Sequence, residues 1–234
     1  MEAVILAAGV GSRLRPLTDR RPKCLVEVGY KSILQWQIEA YRSIGVDKVI
    51  VVAGYRSEQV QSLCSRLDLS GLIQVVENRE YATTNNMFSF ALALKEVSGP
   101  CFVSNGDVVF DHEILHLMIC DPYPDLIAIQ RNTYNEESMK VIVRDGYIRS
   151  ISKTIGADES YGVSIDVYKF GVQTLKALEQ SIQRFLTRGE RNLWTEAAIN
   201  DVAPRCQIRP FDIGTLRWVE IDNHDDLALA NRIF

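Results

Sequence analysis

Residues 3–23 read AVILAAGVGSRLRPLTDRRPK, and this stretch limits what the rest of the chain can be. Ala3 to Ala7 is a short apolar run rich in Val and Ile, the composition of a strand buried on both faces of a parallel sheet. It runs into Ala8, Gly9 and Gly11, so the backbone can turn tightly and carry nothing bulky. From Gly9 to Lys23 there are five cations, Arg13, Arg15, Arg20, Arg21 and Lys23, against the single acid Asp19. A small-residue turn with clustered cations suits a polyphosphate: backbone N–H groups approach the oxygens, and Arg and Lys neutralise them. The dinucleotide fingerprint G-x-G-x-x-G is excluded, because its third glycine falls on Leu14. The P-loop is excluded too, because no Gly-Lys-Ser/Thr triplet occurs. The remaining alternative is an ordinary strand-to-helix loop with a solvated basic face.

Beyond this loop the hydrophobic pattern alternates. Helical spacing predicts a helix over 32–44, with Leu34, Ile38 and Tyr41 inward and Gly45 as its stop. A strand follows at 48–53, then Gly54, a helix over 57–67 capped by Ser57, and a strand at 72–77. A helix over 87–97 turns Met87, Ala91 and Leu94 inward, and a strand at 100–103 leads into Asn105-Gly106-Asp107. This alternation is the doubly wound pattern, in which ligands bind outside the carboxyl ends of parallel strands. The Gly9 loop, Gly54, the Asn85 region and Asp107 all follow strand ends.

The second half changes character. Strands are expected at 125–130 and 139–144, with Asp145-Gly146 as a hairpin turn back into 147–152. A strand at 161–170 precedes a helix over 171–187 with Val172, Leu175, Ile182 and Phe185 on one face. A helix over 193–202, short strands at 207–210 and 217–221, and a helix over 223–233 complete the chain. With no linker, repeat or low-complexity tract, these pieces are expected to extend the first sheet and roof its cleft. The expected architecture is a Rossmann-like, doubly wound α/β fold with a mostly parallel mixed sheet, in a single domain over 1–234. Its nucleotide-binding half is about 1–110 and its acceptor-binding half about 111–234.

At 234 residues and 47% hydrophobic, the chain can bury one sizeable core without disulfides. A formal charge of −4 argues against a general nucleic-acid binder, so the basic loop is a local feature. The five cysteines, Cys24, Cys64, Cys101, Cys120 and Cys206, are scattered and include no C-x-x-C, which fits a reducing cytoplasm and no zinc site. The N-terminal apolar run is too short for a signal peptide, and no stretch approaches the ~20 apolar residues of a membrane span.

Several side chains admit two readings. Asp107 closes a strand in Ser-Asn-Gly-Asp and Asp222 closes another in Glu-Ile-Asp-Asn; each is either a turn or helix cap, or one of a pair holding a Mg²⁺ against triphosphate oxygens. Glu196, early in a helix, either favours the dipole or faces a substrate. Lys140 and Lys153 flank the Asp145-Gly146 hairpin and either share a face or are both solvated. His112, His116 and His224 lack metal-ligand spacing, and a surface helix face accounts for the pair His112 and His116.

LAAGVGSRLRPLTDRRPK, together with NGD at Asn105 to Asp107 and EID at Glu220 to Asp222, resembles the nucleotidyltransferase family that makes nucleoside-diphosphate sugars and CDP-alcohols. The resemblance covers essentially the whole chain. It implies a nucleotide-diphospho-sugar transferase-like fold, with nucleotide contacts at Leu6, Ala7, Ala8, Gly9, Gly11, Ser12, Arg13, Lys23, Gly54, Asn85, Asn86, Ser89 and Gly106. It implies Mg²⁺ on Asp107 and Asp222, catalytic roles for Arg13 and Lys23, and Glu196 facing the acceptor. The implied chemistry is in-line attack of an acceptor oxygen on the α-phosphorus of an NTP, with pyrophosphate leaving.

YATTNNMFS, Tyr81 to Ser89, is similar to the phosphocholine- and aminoethylphosphonate-cytidylyltransferase branch. The sugar branch typically has a glycine-rich turn at this point. The expected reaction is therefore CMP transfer from CTP to a small phosphorylated alcohol or phosphonate, with NDP-sugar synthesis as the alternative. A regulatory nucleotide-binding domain without turnover is a third reading, against which the intact Arg13, Lys23, Asp107 and Asp222 set speaks. Tyr161 and Trp194 are the aromatic candidates around an amine. Lys140 departs from the phosphocholine enzymes, which tend to carry an aromatic there, and leaves Lys140 and Lys153 for a phosphonate or carboxylate and Glu196 for an amine. Expected partners are CTP or another NTP and the acceptor, with a homodimer as the possible assembly and no nucleic acid or membrane.

Overall fold

The computed structural model describes residues 1–68 and 71–234. The first strand, β1 (Glu2–Ala7), lies between β4 (Lys48–Ala53) and β6 (Cys101–Asn105), parallel to both, and β5 (Ile73–Glu77) adds to β4. The continuous apolar run has a simple cause. Ala3, Ile5 and Ala7 point to one face of the sheet, and Val4 and Leu6 to the other, and both faces are covered. The first face packs on α1 (Ile33–Ser43), α2 (Ser57–Leu67) and α4 (Glu113–Cys120); the second packs on α3 (Asn86–Leu94), α5 (Val172–Thr187) and α6 (Thr195–Val202).

The second half extends the same sheet to nine strands. The long β11 (Gly162–Phe170) runs antiparallel to β6, and also pairs with β8 (Leu126–Arg131) and β9 (Lys140–Arg144). From β9 the chain turns through Asp145-Gly146, both at positive φ as a tight hairpin requires, into β10 (Tyr147–Ser152). The ninth strand, β12 (Arg209–Asp212), lies parallel to β8. Two small ribbons sit apart: β2 (Glu27–Val28) with β3 (Lys31–Ser32), and β7 (Val108–Phe110) with β13 (Trp218–Glu220). The last helix, α7 (His224–Ile233), starts at Asn223, whose side chain forms a capping box with Asp226.

Four local expectations are corrected. Ser57 is the first helical residue of α2 and not its cap; Arg56 takes the cap position at φ 49, and the Ser57 hydroxyl donates to Glu77 instead. Val172 is 39% exposed, because it opens α5 beyond the edge of the layer that Leu175 and Ile182 pack into. The strand expected at 207–210 forms at Arg209–Asp212, where β8 supplies a partner. The helix expected over 87–97 ends at Leu94. The strand expected at 217–221 forms as β13, whereas β2, β3, β7 and α4 have no counterpart in the sequence reading, being short or marked only by the His112 and His116 spacing.

Gly106 carries the end of β6 past the end of β1. A Cβ there would meet Ala7 Cα at 2.8 Å and Leu6 O at 2.9 Å, both backbone atoms that cannot move aside. Gly9 has nothing within 4 Å of such a Cβ. Gly106→Ala is expected to cost about 1–3 kcal/mol in urea unfolding, whereas Gly9→Ala stays within about 0.5 kcal/mol. Equal midpoints for the two variants would show that the β1–β6 crossing tolerates bulk.

Candidate active site

The carboxyl ends of β1 and β6 open into a cavity of about 290 Å³. Of the residues singled out from the sequence, Leu6, Ala7, Ala8, Gly9, Arg13, Lys23, Asn85, Asn86, Ser89, Gly106, Asp107, Lys153, Trp194, Glu196 and Asp222 line it. Five lie outside its lining. Gly11 sits at φ 71 behind the loop, with its Cα face against the Lys23 stem. Ser12 begins the following 3-10 turn. Gly54 lets Ala8 and Tyr81 close over it, since a Cβ would lie 2.6 Å from Tyr81 Cβ and 2.8 Å from Ala8 O. Tyr161 is drawn away to the guanidinium of Arg131, 4.8 Å from its ring centre. Lys140 is fully buried, and its ammonium donates to the carbonyls of Glu136 and Lys153.

The loop after β1 is fixed from within. The Thr18 hydroxyl, itself buried, donates to Gly11 O at 2.7 Å, and Tyr55 Oη donates to Asp19 O at 2.7 Å. This brings Lys23 into the cleft, where its ammonium donates to Asp107 Oδ2 at 2.7 Å and Asp222 Oδ1 at 2.6 Å. Arg13 donates to the other Asp222 oxygen at 2.6 Å. Ile221 N donates to Asp107 O at 2.9 Å, which seats the end of β13 beside the end of β6 and brings the two acids together.

Neither acid is a cap. Asn223 and Asp226 cap α7, so Asp222 is free for the cleft, and the Asp107 carboxylate is engaged by Lys23. Burial opposes the Lys23 charge, but the two carboxylates outweigh it and hold its pKa above the ordinary lysine value. Burial likewise acts against the Asp222 charge, yet Lys23 and Arg13 hold its carboxyl below the usual range.

Glu220, two residues before Asp222, is the third acid of this cluster: oxygens of Asp107, Glu220 and Asp222 lie within 4.8 Å of one another. Burial first, then the charges of Asp166, Asp107 and Asp222, push the Glu220 carboxyl up to about 9. Asp107 Oδ1 is buried with no hydrogen-bond partner. Three hard oxygen donors converging on one point, one of them an unused acceptor, fit a divalent cation.

A second acidic pair that sequence reasoning only half found lines the same cavity. Glu196 is buried in the first turn of α6, with Oε1 accepting from Tyr168 Oη at 2.7 Å and Oε2 unpartnered. Asp166 faces it from a bulge in β11, at φ 58, between the Ser164 and Tyr168 rungs paired to β8. Asp166 accepts from Asn105 Nδ2 at 2.9 Å, and its Oδ1 lies 3.0 Å from the Tyr168 Oη that donates to Glu196. Burial pushes Asp166 up to about 7, with Glu196 and Asp107 adding to the shift, and burial raises Glu196 as well. The available signs are the one carboxylate among the Val, Ile and Phe of the buried strand GVSIDVYKF, and the acid two residues before Asp222.

Asn86 ties the two sides together: its Oδ1 accepts from Thr195 N at 2.8 Å and its Nδ2 donates to Asn105 Oδ1 at 3.1 Å. Asn78, buried, donates to Thr84 and Ser89 hydroxyls at 3.1 Å each and so shapes the turn before α3. Lys153 lies 5.3 Å from the Trp194 ring centre at the cavity wall.

A glycine turn with its arginine and lysine, beside clustered acids at the ends of a doubly wound sheet, forms a site suited to a polyphosphate and a divalent cation. The chain belongs to the MobA-like NTP transferase domain family, which it matches over residues 3–163. A choline-phosphate cytidylyltransferase of Streptococcus pneumoniae is 36% identical over 110 residues, covering 47% of this chain and 46% of that protein. The CTP:phosphoglutamine cytidylyltransferase of Campylobacter jejuni is 30% identical over 192 residues, 75% of each chain. The CMP-5'-(3-aminopropyl)phosphonate synthase of Streptomyces rubellomurinus is 35% identical over 246 aligned positions, 99% of this chain; the chain spans 38% of that protein's length. In fold, the chain matches the solved CTP:phosphocholine cytidylyltransferase from Streptococcus pneumoniae with a TM-score of 0.79 at 23% identity, over 99% of this chain and 98% of that one. No helix among the described residues is long and apolar enough to cross a membrane.

The raised Asp166 pKa has a consequence for stability. An unfolded Asp titrates near ~3.9, so as pH rises the unfolded chain releases this proton first. Stability therefore falls across the window from there to about 7, where the folded group ionises. Asn accepts the same backbone conformation without the charge. Asp166→Asn should raise Tm over the parent by about 5–10 °C more at pH 8 than at pH 5 in metal-free buffer, measured by circular dichroism. A pH-independent difference would place the Asp166 carboxylate in water.

Proposed function

We propose that the protein transfers CMP from CTP, with Mg²⁺, to a small acceptor carrying both a phosphate or phosphonate and an amine. The observation that carries this reading is the polarity of the cavity. Arg13, Lys23 and Lys153 offer positive charge to a phosphate or phosphonate, and the buried Glu196, with its Oε2 unpartnered, offers an acceptor to an amine. A zwitterionic acceptor matches that pairing. Three relatives whose names include a cytidylyl or CMP product act, by those names, on choline phosphate, phosphoglutamine and an aminopropylphosphonate.

The acceptor oxygen attacks the α-phosphorus, a new P–O bond forms, and the bond to the bridging oxygen of the β-phosphate breaks to release pyrophosphate. The acceptor brings its own charge, since a phosphomonoester's second pKa is ~6, so no side chain need remove a proton. The protein's task is to assemble anions and stabilise the charge passing to the leaving group. Arg13 holds the β and γ oxygens. Lys23 turns from the acids to the α-phosphate and the incoming acceptor. Asp107 and Asp222, with Glu220 beside them, would hold a Mg²⁺, which would supply charge neutralisation on the phosphates. Asn85, Ser89 and Gly106 border the nucleotide. Residues 1–110 build most of that side, and residues 111–234 supply the acceptor side. Five unpaired cysteines suit a cytoplasmic setting.

Pyrophosphate release with four NTPs and a panel of acceptors tests the reading. CTP with 2-aminoethylphosphonate or a phosphorylated amino alcohol is expected to exceed glucose-1-phosphate and mannose-1-phosphate by tenfold or more in kcat/KM. A hexose-1-phosphate that wins by that margin overturns the acceptor assignment. Lys23→Ala should lower kcat by about 10²–10³-fold with the fold intact, and near-parental turnover would remove Lys23 from the chemistry.

A further inference from the structure

Lys140 is the one residue assigned to the acceptor from the sequence whose charge never reaches the cavity. It opens β9, where its backbone is paired to Ser152 of β10 and to Val163 of β11, and its side chain is fully buried. The ammonium donates to Glu136 O at 2.8 Å and to Lys153 O, and lies 5.2 Å from the Tyr134 ring centre. Its partners are neutral carbonyls and a ring face rather than carboxylates. Burying a cation in that way costs more than burying a methionine of similar length.

The two carbonyls belong to the two irregular segments that border the acceptor side of the cavity. Glu136 lies in the segment between β8 and β9, which ends at Met139, a cavity residue. Lys153 follows β10 and directs its side chain to the cavity wall beside Trp194. The Ser152 hydroxyl bonds Thr154 N at 3.1 Å, so the Lys153 backbone is held on both sides.

We propose that Lys140 is a positioning residue: its buried ammonium pins the 132–138 and 153–160 segments together and thereby aims Lys153 at the anionic group of the acceptor. The proposal rests on the reading of Lys153 as an acceptor contact. It predicts an effect on acceptor KM that is separate from nucleotide binding and from the chemical step.

Lys140→Met keeps the stem and removes the charge and donors. Tyr134→Leu removes only the ring face and lies on an exposed loop, so it folds regardless. Backbone hydrogen exchange of the free protein is read first and needs no acceptor. Exchange is expected to rise at least fivefold in 132–138 and 153–160 for Lys140→Met, and less for Tyr134→Leu, with the rest of the sheet unchanged. With CTP and the best acceptor of the parent enzyme, Lys140→Met should raise acceptor KM about tenfold, leaving kcat and the KM for CTP within twofold. Lys140→Arg should keep acceptor KM near the parent's. Adding Lys153→Met to Lys140→Met should cost little beyond Lys153→Met alone, because both act through one contact. Unchanged exchange in both segments, or fully additive KM effects, overturns the proposal. If Lys140→Met does not fold, unchanged exchange in Tyr134→Leu overturns it equally. Absence of turnover by the parent with every amine-bearing acceptor would instead defeat the functional reading, leaving the exchange result to stand by itself.

Discussion

The Lys23 ammonium, shared between Asp107 and Asp222, is the contact on which the site depends. It joins three chain segments far apart in sequence: the loop after β1, the end of β6 and the end of β13. Without it, two carboxylates would face each other at the mouth of the cleft with Glu220 beside them. The contact is also provisional in its chemistry. Lys and Arg charges that neutralise acids in the free protein are those a triphosphate requires, and the acids they leave are those a divalent cation requires. In the proposed reaction, binding is an exchange of partners among fixed charges, with little cost for creating new ones.

Backbone constraints make that exchange possible. Gly11 at positive φ brings the loop against the Lys23 stem, with Thr18 closing it from behind. Gly106 allows β6 to pass within contact of Leu6 and Ala7, which places Asp107 over the end of β1. Neither glycine need touch a ligand. Each sets where a charged side chain emerges, and a Cβ at either position would move that charge.

The acidic end of the cavity is built differently, by burial. Asp166 and Glu196 share the phenol of Tyr168, and the low-dielectric setting raises both pKa values. Asn105 connects this pair to Asn86, and Asn86 to the start of α6, so β6, α3, α6 and β11 meet through one run of amides.

The sequence by itself determined the alternation of the main sheet strands and their helices in the first half, the glycine and cation loop, and the acids Asp107 and Asp222 at strand ends. It could do so because buried parallel strands, turn glycines and strand-end carboxylates leave local marks. It also offered Lys153 and Trp194 as acceptor candidates and, by resemblance, Glu196, and all three line the cavity. Tertiary structure decided the rest. Lys140 and Lys153 flank one hairpin and look alike in sequence, yet the three-strand junction buries one ammonium among carbonyls and leaves the other at the cavity wall. Tyr161 turns to Arg131, a partner on β8 that spacing cannot reveal. Asp166 enters the site only because a bulge, fixed by pairing with β8, gives its backbone a left-handed turn. Local pattern records which face of an element is apolar. Which charges meet depends on register and crossing between segments distant in the chain, and those are set when the sheet assembles.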